Sequence, residues 1–490
     1  MKKILIIAIA ALAFSTAVAQ NPDAVYKLLR YDWTVNADGT SDYHYRHEVQ
    51  ILRNRALTAY ADKGETFVTY NPDLESLTIN EVYTIQHDGT RVNMPQNAFI
   101  YQLPSQCADC GRFNHIRELA MVHTGMEIGC TIVVDYTIHR RYDLVSITLP
   151  LMKECPVEHL EVNVTVPEGH DLNVTLSNPK VVDVTPNESR TQNSYRLSMD
   201  NLPQTFSDSY LPAPAQLYPI LHFYNSVPEF TPAFNRDGLA AAGDVAGMVM
   251  QSGDARKNIA SIRDFVVDNI HLNDLPPAML GYTHATAAQV WQSGCGTPTD
   301  KAVLLAAMLN EMGFNAQVAG DDAEHVSVLI DTLEYRLSVR HKGPAEIYGE
   351  AKDEVSKLDQ KATLDPKFDT LEDGFFHLRL QKVPGSPTVD VRNLPLVRTA
   401  PLQSTACDLQ SDITYTLPKG MKMVGDAIEH SLNHNGIGHV SVQVKQSGKK
   451  LRVVRRLVLD KSVIQASEYA RYRQLLAIWQ GTDKILMQNK

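Results

Sequence analysis

The chain has 490 residues, 44% of them hydrophobic and 21% charged, with a formal net charge of −10. Usage this ordinary supplies apolar material for several packed cores and excludes a disordered chain; at roughly 100–200 residues per domain it implies about three domains. The acidic balance gives no electrostatic basis for binding nucleic acid.

The first residues are Met1-Lys2-Lys3, followed by an apolar run from Ile4 to Phe14 and the small-x-small triplet Ala17-Val18-Ala19. A basic start, a short apolar core and a small-residue end make a secretory signal peptide over 1–19, cleaved between Ala19 and Gln20. The run is shorter than the ~20 apolar residues that span a bilayer, and no cysteine follows the cleavage point to carry a lipid. No later segment is long and apolar enough to cross a membrane. The expected protein is therefore exported, periplasmic or secreted, without an integral membrane segment once cleaved. Such a compartment permits disulfides, and the six cysteines can pair completely in many ways.

Residues 20–202 read as short strands. An Asp88-Gly89 pair lies between strand-like runs in Leu77–Val92, a hairpin signal. Thr131–Ile138 is a strong strand, and Pro167-Glu168-Gly169 separates two more. Repeated short strands with turn residues between them predict a β-sandwich. Residues 203–235 hold six prolines, and aromatic residues at Tyr210, Tyr218, Phe223, Tyr224, Phe230 and Phe234 among others. Proline suits connecting chain rather than sheet interior, and the aromatics suit a strap laid on a domain surface. Residues 236–345 change to helix and then strand: Asp254–Ile270, Thr286–Trp291 and Pro298–Met312 have helical spacing. Phe314–Ala319, Val326–Ile330 and Tyr335–Val339 read as strands. Residues 346–490 return to β, with strands at Phe375–Leu380, Ile413–Leu417, His439–Val444 and Leu451–Leu459, and a helix at Ser467–Trp479. The expected class is α+β and multidomain: a sandwich, a strap, an α+β core and a C-terminal β domain with a terminal helix.

The stretch that carries chemistry is Ser293-Gly294-Cys295-Gly296-Thr297-Pro298-Thr299-Asp300-Lys301-Ala302, followed by Leu304-Leu305, Gly313 and His325-Val326. A cysteine before a helix and a histidine on a strand form a candidate nucleophile and base. The positive end of the helix favours thiolate, and the histidine takes the proton.

This pattern resembles exported proteins of the transglutaminase-like superfamily, in which such a core follows an N-terminal β domain of unknown function (the 3857 type) and precedes a C-terminal β domain. The resemblance implies a papain-like cysteine-protease fold for the core. Gly296, Asp300-Lys301-Ala302, Leu304-Leu305, Gly313 and His325 match the motif. Thr297 stands in the motif aspartate's place, Pro298 in the nucleophile's, and Ser338 in the third catalytic member's. Leu417-Pro418-Lys419-Gly420 and the run from Tyr469 to the C-terminus match the family's usual finish.

Thr297 is a good N-cap, Asp300 at N3 makes a near capping box, and Pro298 at N1 needs no helical partner for its nitrogen. The sequence thus keeps a well-formed helix start and gives up the thiol. Cys295, three residues upstream, is the remaining nucleophile candidate; the plainer reading makes it a buried or disulfide-bonded cysteine. Asp321, Asp322 and Asp331 are weak third members, Asp331 being roughly 20 Å along the strand from His325.

Cys107-Ala108-Asp109-Cys110 reads as a local structural disulfide, a redox pair or half of a metal site with His115 nearby. The local disulfide is the preferred reading, and no metal or cofactor is expected. Two functions follow. One is a non-catalytic binding or scaffold protein for a protein or peptide ligand. The alternative is a cysteine protease, amidase or acyl-transferase using Cys295 with His325.

Overall fold

The computed structural model describes residues 22–57, 67–178, 184–226, 247, 253–319, 324–330, 332–343, 346–347 and 356–489. The expected signal segment, the expected strap from 227 to 235, and Asp321, Asp322 and Asp331 lie outside the described residues. The chain divides into two units: Val18–Thr205 with Tyr218–Glu350, and Phe206–Leu217 with Ala351–Lys490.

The first unit opens with strands β1 (Ala24–Val35), β2 (Ser41–Ile51), β3 (Phe67–Tyr70), β4 (Glu75–Ile85), β5 (Arg91–Asn93), β6 (Phe99–Gln102) and β7 (Arg117–Met121). It continues with β8 (Thr131–Arg140), β9 (Ser146–Pro150), β10 (Val157–Thr165), β11 (Asn173–Ser177), β12 (Asn187–Arg190), β13 (Ser194–Leu202) and β14 (Ile220–Tyr224). The main sheet runs β12-β13-β10-β1-β2-β8-β4-β5. Strict alternation gives it two faces. Leu29, Tyr31, Trp33 and Val35 of β1 point into the core, while Arg30, Asp32 and Thr34 point outward.

The outer groups pair across strands: Asp32 and Asp135 flank His44 at 2.9 and 2.8 Å, and Arg46 meets Asp135 at 3.0 Å. The inner face is an aromatic slab in which Trp33 stacks on Tyr43 and meets Phe223 edge-on at 4.9 Å. The Asp88-Gly89 hairpin joins β4 and β5 as the sequence signals. Gly169 also lies in a turn, but its flanking strands do not pair. β10 sits between β1 and β13 in the main sheet, and β11 joins β14 in a smaller one.

Phe223 comes from the segment expected as a strap. Its residues 220–224 are the central strand β14 of a three-stranded sheet with β11 and β9, burying Leu221 and Phe223. Its prolines did not forbid this, because Pro219 and Pro228 bracket the strand rather than interrupt it.

The same unit continues with helix α1 (Ala255–Asn269), strand β15 (His271–Leu272), helix α2 (Ala287–Ser293), strand β16 (Cys295–Gly296) and helix α3 (Pro298–Glu311). A sheet of β17 (Asn315–Val318), β18 (His325–Ile330), β19 (Leu333–Ser338) and β20 (Glu346–Ile347) follows. α3 is buried on every side from Pro298 to Leu309: it is apolar all round from Ala302 to Leu309, and Thr299, Asp300 and Lys301 of its first turn are buried with it. Ile259, Ile262 and Val266 of α1, Val290 of α2 and Val326 and Val328 of β18 close around it.

In the second unit, a five-stranded sheet runs Ser356–Leu364, Cys407–Thr416, Lys450–Leu459, Gly438–Ser447, Ile428–His434. A four-stranded sheet runs Lys367–Thr370, Phe375–Arg379, Lys484–Asn489, Met421–Met423. Helix Tyr469–Gly481 buries Tyr472, Leu475, Leu476 and Trp479 in their shared core. The terminal strand Lys484–Asn489, absent from the sequence reading, alternates buried Ile485 and Met487 with more exposed neighbours. The architecture as a whole is β-rich and multi-sheet.

Candidate functional site

α2 ends at Gly294, whose left-handed conformation (φ 66°) turns the chain toward α3. Gly296 then passes so close to α3 that a Cβ there would lie 2.7 Å from Asp300 Cβ. Thr297 Oγ1 accepts the Asp300 N–H at 3.2 Å, and Asp300 Oδ2 accepts the Thr297 N–H at 2.9 Å. The capping box expected from sequence is thus formed, with Pro298 at N1.

Asp300 does more than cap. Its Oδ1 accepts the Ala285 N–H at 2.6 Å, and Arg112, from the loop between β6 and β7, lies 3.3 Å from its Oδ2. Lys301, the next motif residue, is buried and donates to the carbonyls of Ile270 at 2.8 Å and Val267 at 3.4 Å. It satisfies the end of α1, where a cation is favoured. Burial and then Arg340 push its pKa down to about 8.

Cys295 is wholly buried and bonded to Cys110, with Cα atoms 5.8 Å apart. This replaces the expected local bond: Cys107 is a buried free thiol, and Cys110 pairs with a residue 185 positions away. The cause is tertiary. Cys107, Cys110, Phe113 and Ile116 from the sandwich and Leu275 and Cys295 from the core form one apolar cluster, backed by Met279 and Leu280. In this state Cys295 carries no thiolate to attack with, and Cys110 has none to offer a metal. No group of three or more His, Cys, Asp or Glu among the described residues is placed to hold a metal ion.

His325 opens β18, half-buried, directly opposite Ser338 of β19. The neighbouring Val339 N–H bonds the Glu324 carbonyl at 3.1 Å. His325 and Ser338 are therefore a non-hydrogen-bonded pair, whose side chains approach most closely. Ser338 Oγ accepts the N–H groups of Arg340 at 3.2 Å and His341 at 3.3 Å, ending the strand.

Among the described residues, the carboxylate next to His325 in sequence, Glu324, is already engaged. Arg340 binds Glu324 and Asp274, each at 2.6 Å. The guanidinium holds the Asp274 carboxyl below its ordinary range, and the two acids raise the arginine's pKa, Glu324 contributing most. Sequence reasoning missed this clamp, because Asp274 and Arg340 lie 66 residues apart; no local spacing signals it.

Two depressions accompany these groups. One of about 310 Å³ is lined by Asn71, Arg112, His115, His284, Gln289 and Asp300, between sandwich loops and the start of α3. A larger one of about 650 Å³ lies on the outer face of the main sheet, lined by Arg30, Asp32, Glu161, Asn163 and Arg196 among others.

Residues 37–206 match the family model of a domain of unknown function with a solved structure, DUF3857. Residues 389–485 match a second such model, DUF3858. A crystal structure of a "putative protease" from Parabacteroides distasonis ATCC 8503 is similar over 95% of this chain and 99% of that one. The identity is 25% and the TM-score 0.73. No curated protein matches the chain. The chain thus shares its fold, over 95% of its length, with a protein described as a "putative protease". No helix among the described residues is long and apolar enough to cross a membrane.

Proposed function

We propose that this is an exported protein with a transglutaminase-like core that has lost catalysis and serves as a binding or scaffold protein for a protein or peptide ligand. One observation carries the reading: Cys295, the only cysteine between 236 and 345, is consumed in a disulfide with Cys110, while proline occupies the first turn of α3. Proline has no nucleophile, and Cys–His chemistry requires a thiolate within hydrogen-bond reach of its base. Ser338 opposite His325 supplies a hydroxyl where an orienting carboxylate would serve, and that hydroxyl is already used by the backbone. The helix start, Asp300 and Lys301 persist because they hold the fold together.

The deciding experiment is turnover by the purified mature protein on peptide, amide and amine-acceptor substrates, beside Cys295→Ala and His325→Ala. The expected result is no rate above buffer in any of the three. Turnover in the wild-type protein that vanishes in both variants, with circular dichroism unchanged, sinks the reading in favour of a cysteine hydrolase or acyl-transferase.

A further inference from the structure

The sandwich loop from Pro104 to Ile116 is wound in successive tight turns. The Cys107 N–H bonds the Pro104 carbonyl at 2.9 Å, Ala108 bonds Ser105 at 3.2 Å, and Cys110 bonds Cys107 at 3.2 Å. The last of these is an i to i+3 turn with a cysteine at each end, which brings their Cα atoms within about 7 Å. Disulfides accept Cα separations up to about 6.8 Å. Cys110 therefore has Cys295 bonded to it at 5.8 Å and a free thiol at the other end of its own turn. All three sulfurs belong to one buried cluster with Phe113, Ile116 and Leu275.

We propose that Cys107, Cys110 and Cys295 form an intramolecular thiol–disulfide exchange switch. The Cys107 thiol loses its proton to water, and the thiolate attacks Cys110 Sγ. A Cys107–Cys110 bond forms as the Cys110–Cys295 bond breaks. The electron pair leaves on Cys295 Sγ, which takes up a proton. One thiol and one disulfide exist before and after, so no oxidant or reductant is consumed.

The two states differ in what they tie together. In the first, a covalent bond joins the sandwich loop to the segment leading into α3. In the second, the bond lies within the sandwich loop, and Cys295 and Gly296 keep only noncovalent links. These include the Arg112 bond to the Cys295 carbonyl at 3.5 Å and the Asn273 N–H bond to the Gly296 carbonyl at 2.9 Å. Burial raises the Cys107 pKa, so the resting protein keeps the longer-range bond until the cluster loosens. The exchange operates whether or not the core has catalytic activity.

The test uses the mature protein, purified without reductant and incubated with a reduced and oxidised glutathione mixture. Samples are trapped with iodoacetamide over time. Digestion with Asp-N cuts before Asp109 and separates Cys107 from Cys110, so mass spectrometry distinguishes both bonds. The expected result is a Cys107–Cys110 link that accumulates in step with alkylated Cys295. Labelling of Cys295 should fall to the level of untreated protein in Cys107→Ser, and Cys295→Ser should hold the local bond alone. Wild-type protein that keeps only the Cys110–Cys295 bond throughout overturns the proposal without reliance on any variant. So does labelling of Cys295 that is unchanged in Cys107→Ser. The turnover experiment above reads amide chemistry rather than bond position, so the two fail separately: a Cys295 thiol freed by exchange counts against the loss of catalysis only where turnover accompanies it.

Discussion

Arg112, in a turn of the N-terminal sandwich, lies 3.3 Å from the wholly buried carboxylate of Asp300 at the start of α3. The same carboxylate accepts two backbone N–H groups, from Thr297 and Ala285. Asp300 thus acts as the joint between the N-terminal β region and the start of α3.

Asp300→Ala should be among the costliest single substitutions. It leaves two amides and a guanidinium without their acceptor, a loss of about 3–5 kcal/mol. Arg112→Met should cost less, about 1–3 kcal/mol, because Asp300 keeps both amides. Urea denaturation of both singles and the double variant measures their coupling. Strictly additive losses would show that the contact has no energetic role.

Gly296→Ala should destabilise the protein by about 1–3 kcal/mol or prevent folding, through overpacking rather than strained dihedrals. Its Cβ would stand 2.7 Å from Asp300 Cβ. Thermal melts of Gly296→Ala, Asp300→Gly and the pair check this. A pair that melts no lower than Asp300→Gly alone identifies the clash as the cause.

Acid should weaken the fold from about pH 6.5 downward. His47 is buried, and burial pushes its pKa down to about 3; burial likewise takes His123 down to about 4. Unfolded histidines bind protons near pH 6.5. Between that pH and the folded values the unfolded chain holds protons that the folded chain refuses. Stability present above pH 6.5 is therefore lost as pH falls, by up to about 1.4 kcal/mol per pH unit for each histidine. His159 works in the opposite sense. Asp200 and then Glu161 raise its pKa, so its contribution is full below pH 6.5 and lost as pH rises through the folded value. That pair is exposed and contributes little. Urea midpoints at pH 7.5, 6 and 5 should fall in that order, with a shallower slope in His47→Phe.

Pro298→Cys should create a thiol at the first turn of α3 that titrates about one unit or more below the ordinary 8.5, because the helix end favours thiolate. The pH dependence of iodoacetamide labelling at residue 298 reads this directly. A midpoint near 8.5 would mean that the site no longer activates a nucleophile even when given one.

Much of the fold was legible from local patterns. The caps Asp254, Thr286 and Thr297 mark the starts of α1, α2 and α3, because capping is a contact between residues two or three apart. Strands β18 and β19 and the C-terminal strands Phe375–Arg379, Cys407–Thr416, Gly438–Ser447 and Lys450–Leu459 are signalled by their residue pattern, while Ser356–Leu364 and Ile428–His434 were not read. β14 was hidden by the prolines around it, and Lys484–Asn489 by its shortness and its place after a helix. Neither strand has meaning without the sheet that receives it, since sheet partners are set by the whole fold.

The sequence by itself determined that α3 begins at proline without a thiol, with a box of Thr297 and Asp300 at its start, because these depend only on residue identity and nearest neighbours. Only the tertiary structure decided the rest of the site. Cys110 chose Cys295 across 185 residues rather than Cys107 across three, because an apolar cluster folded the two loops together. The chain-entropy relation assigns a bond of that span about 5 kcal/mol. Arg340 joined Asp274 and Glu324 for the same kind of reason: contacts distant in sequence exist only after the core has brought the strands that carry them side by side.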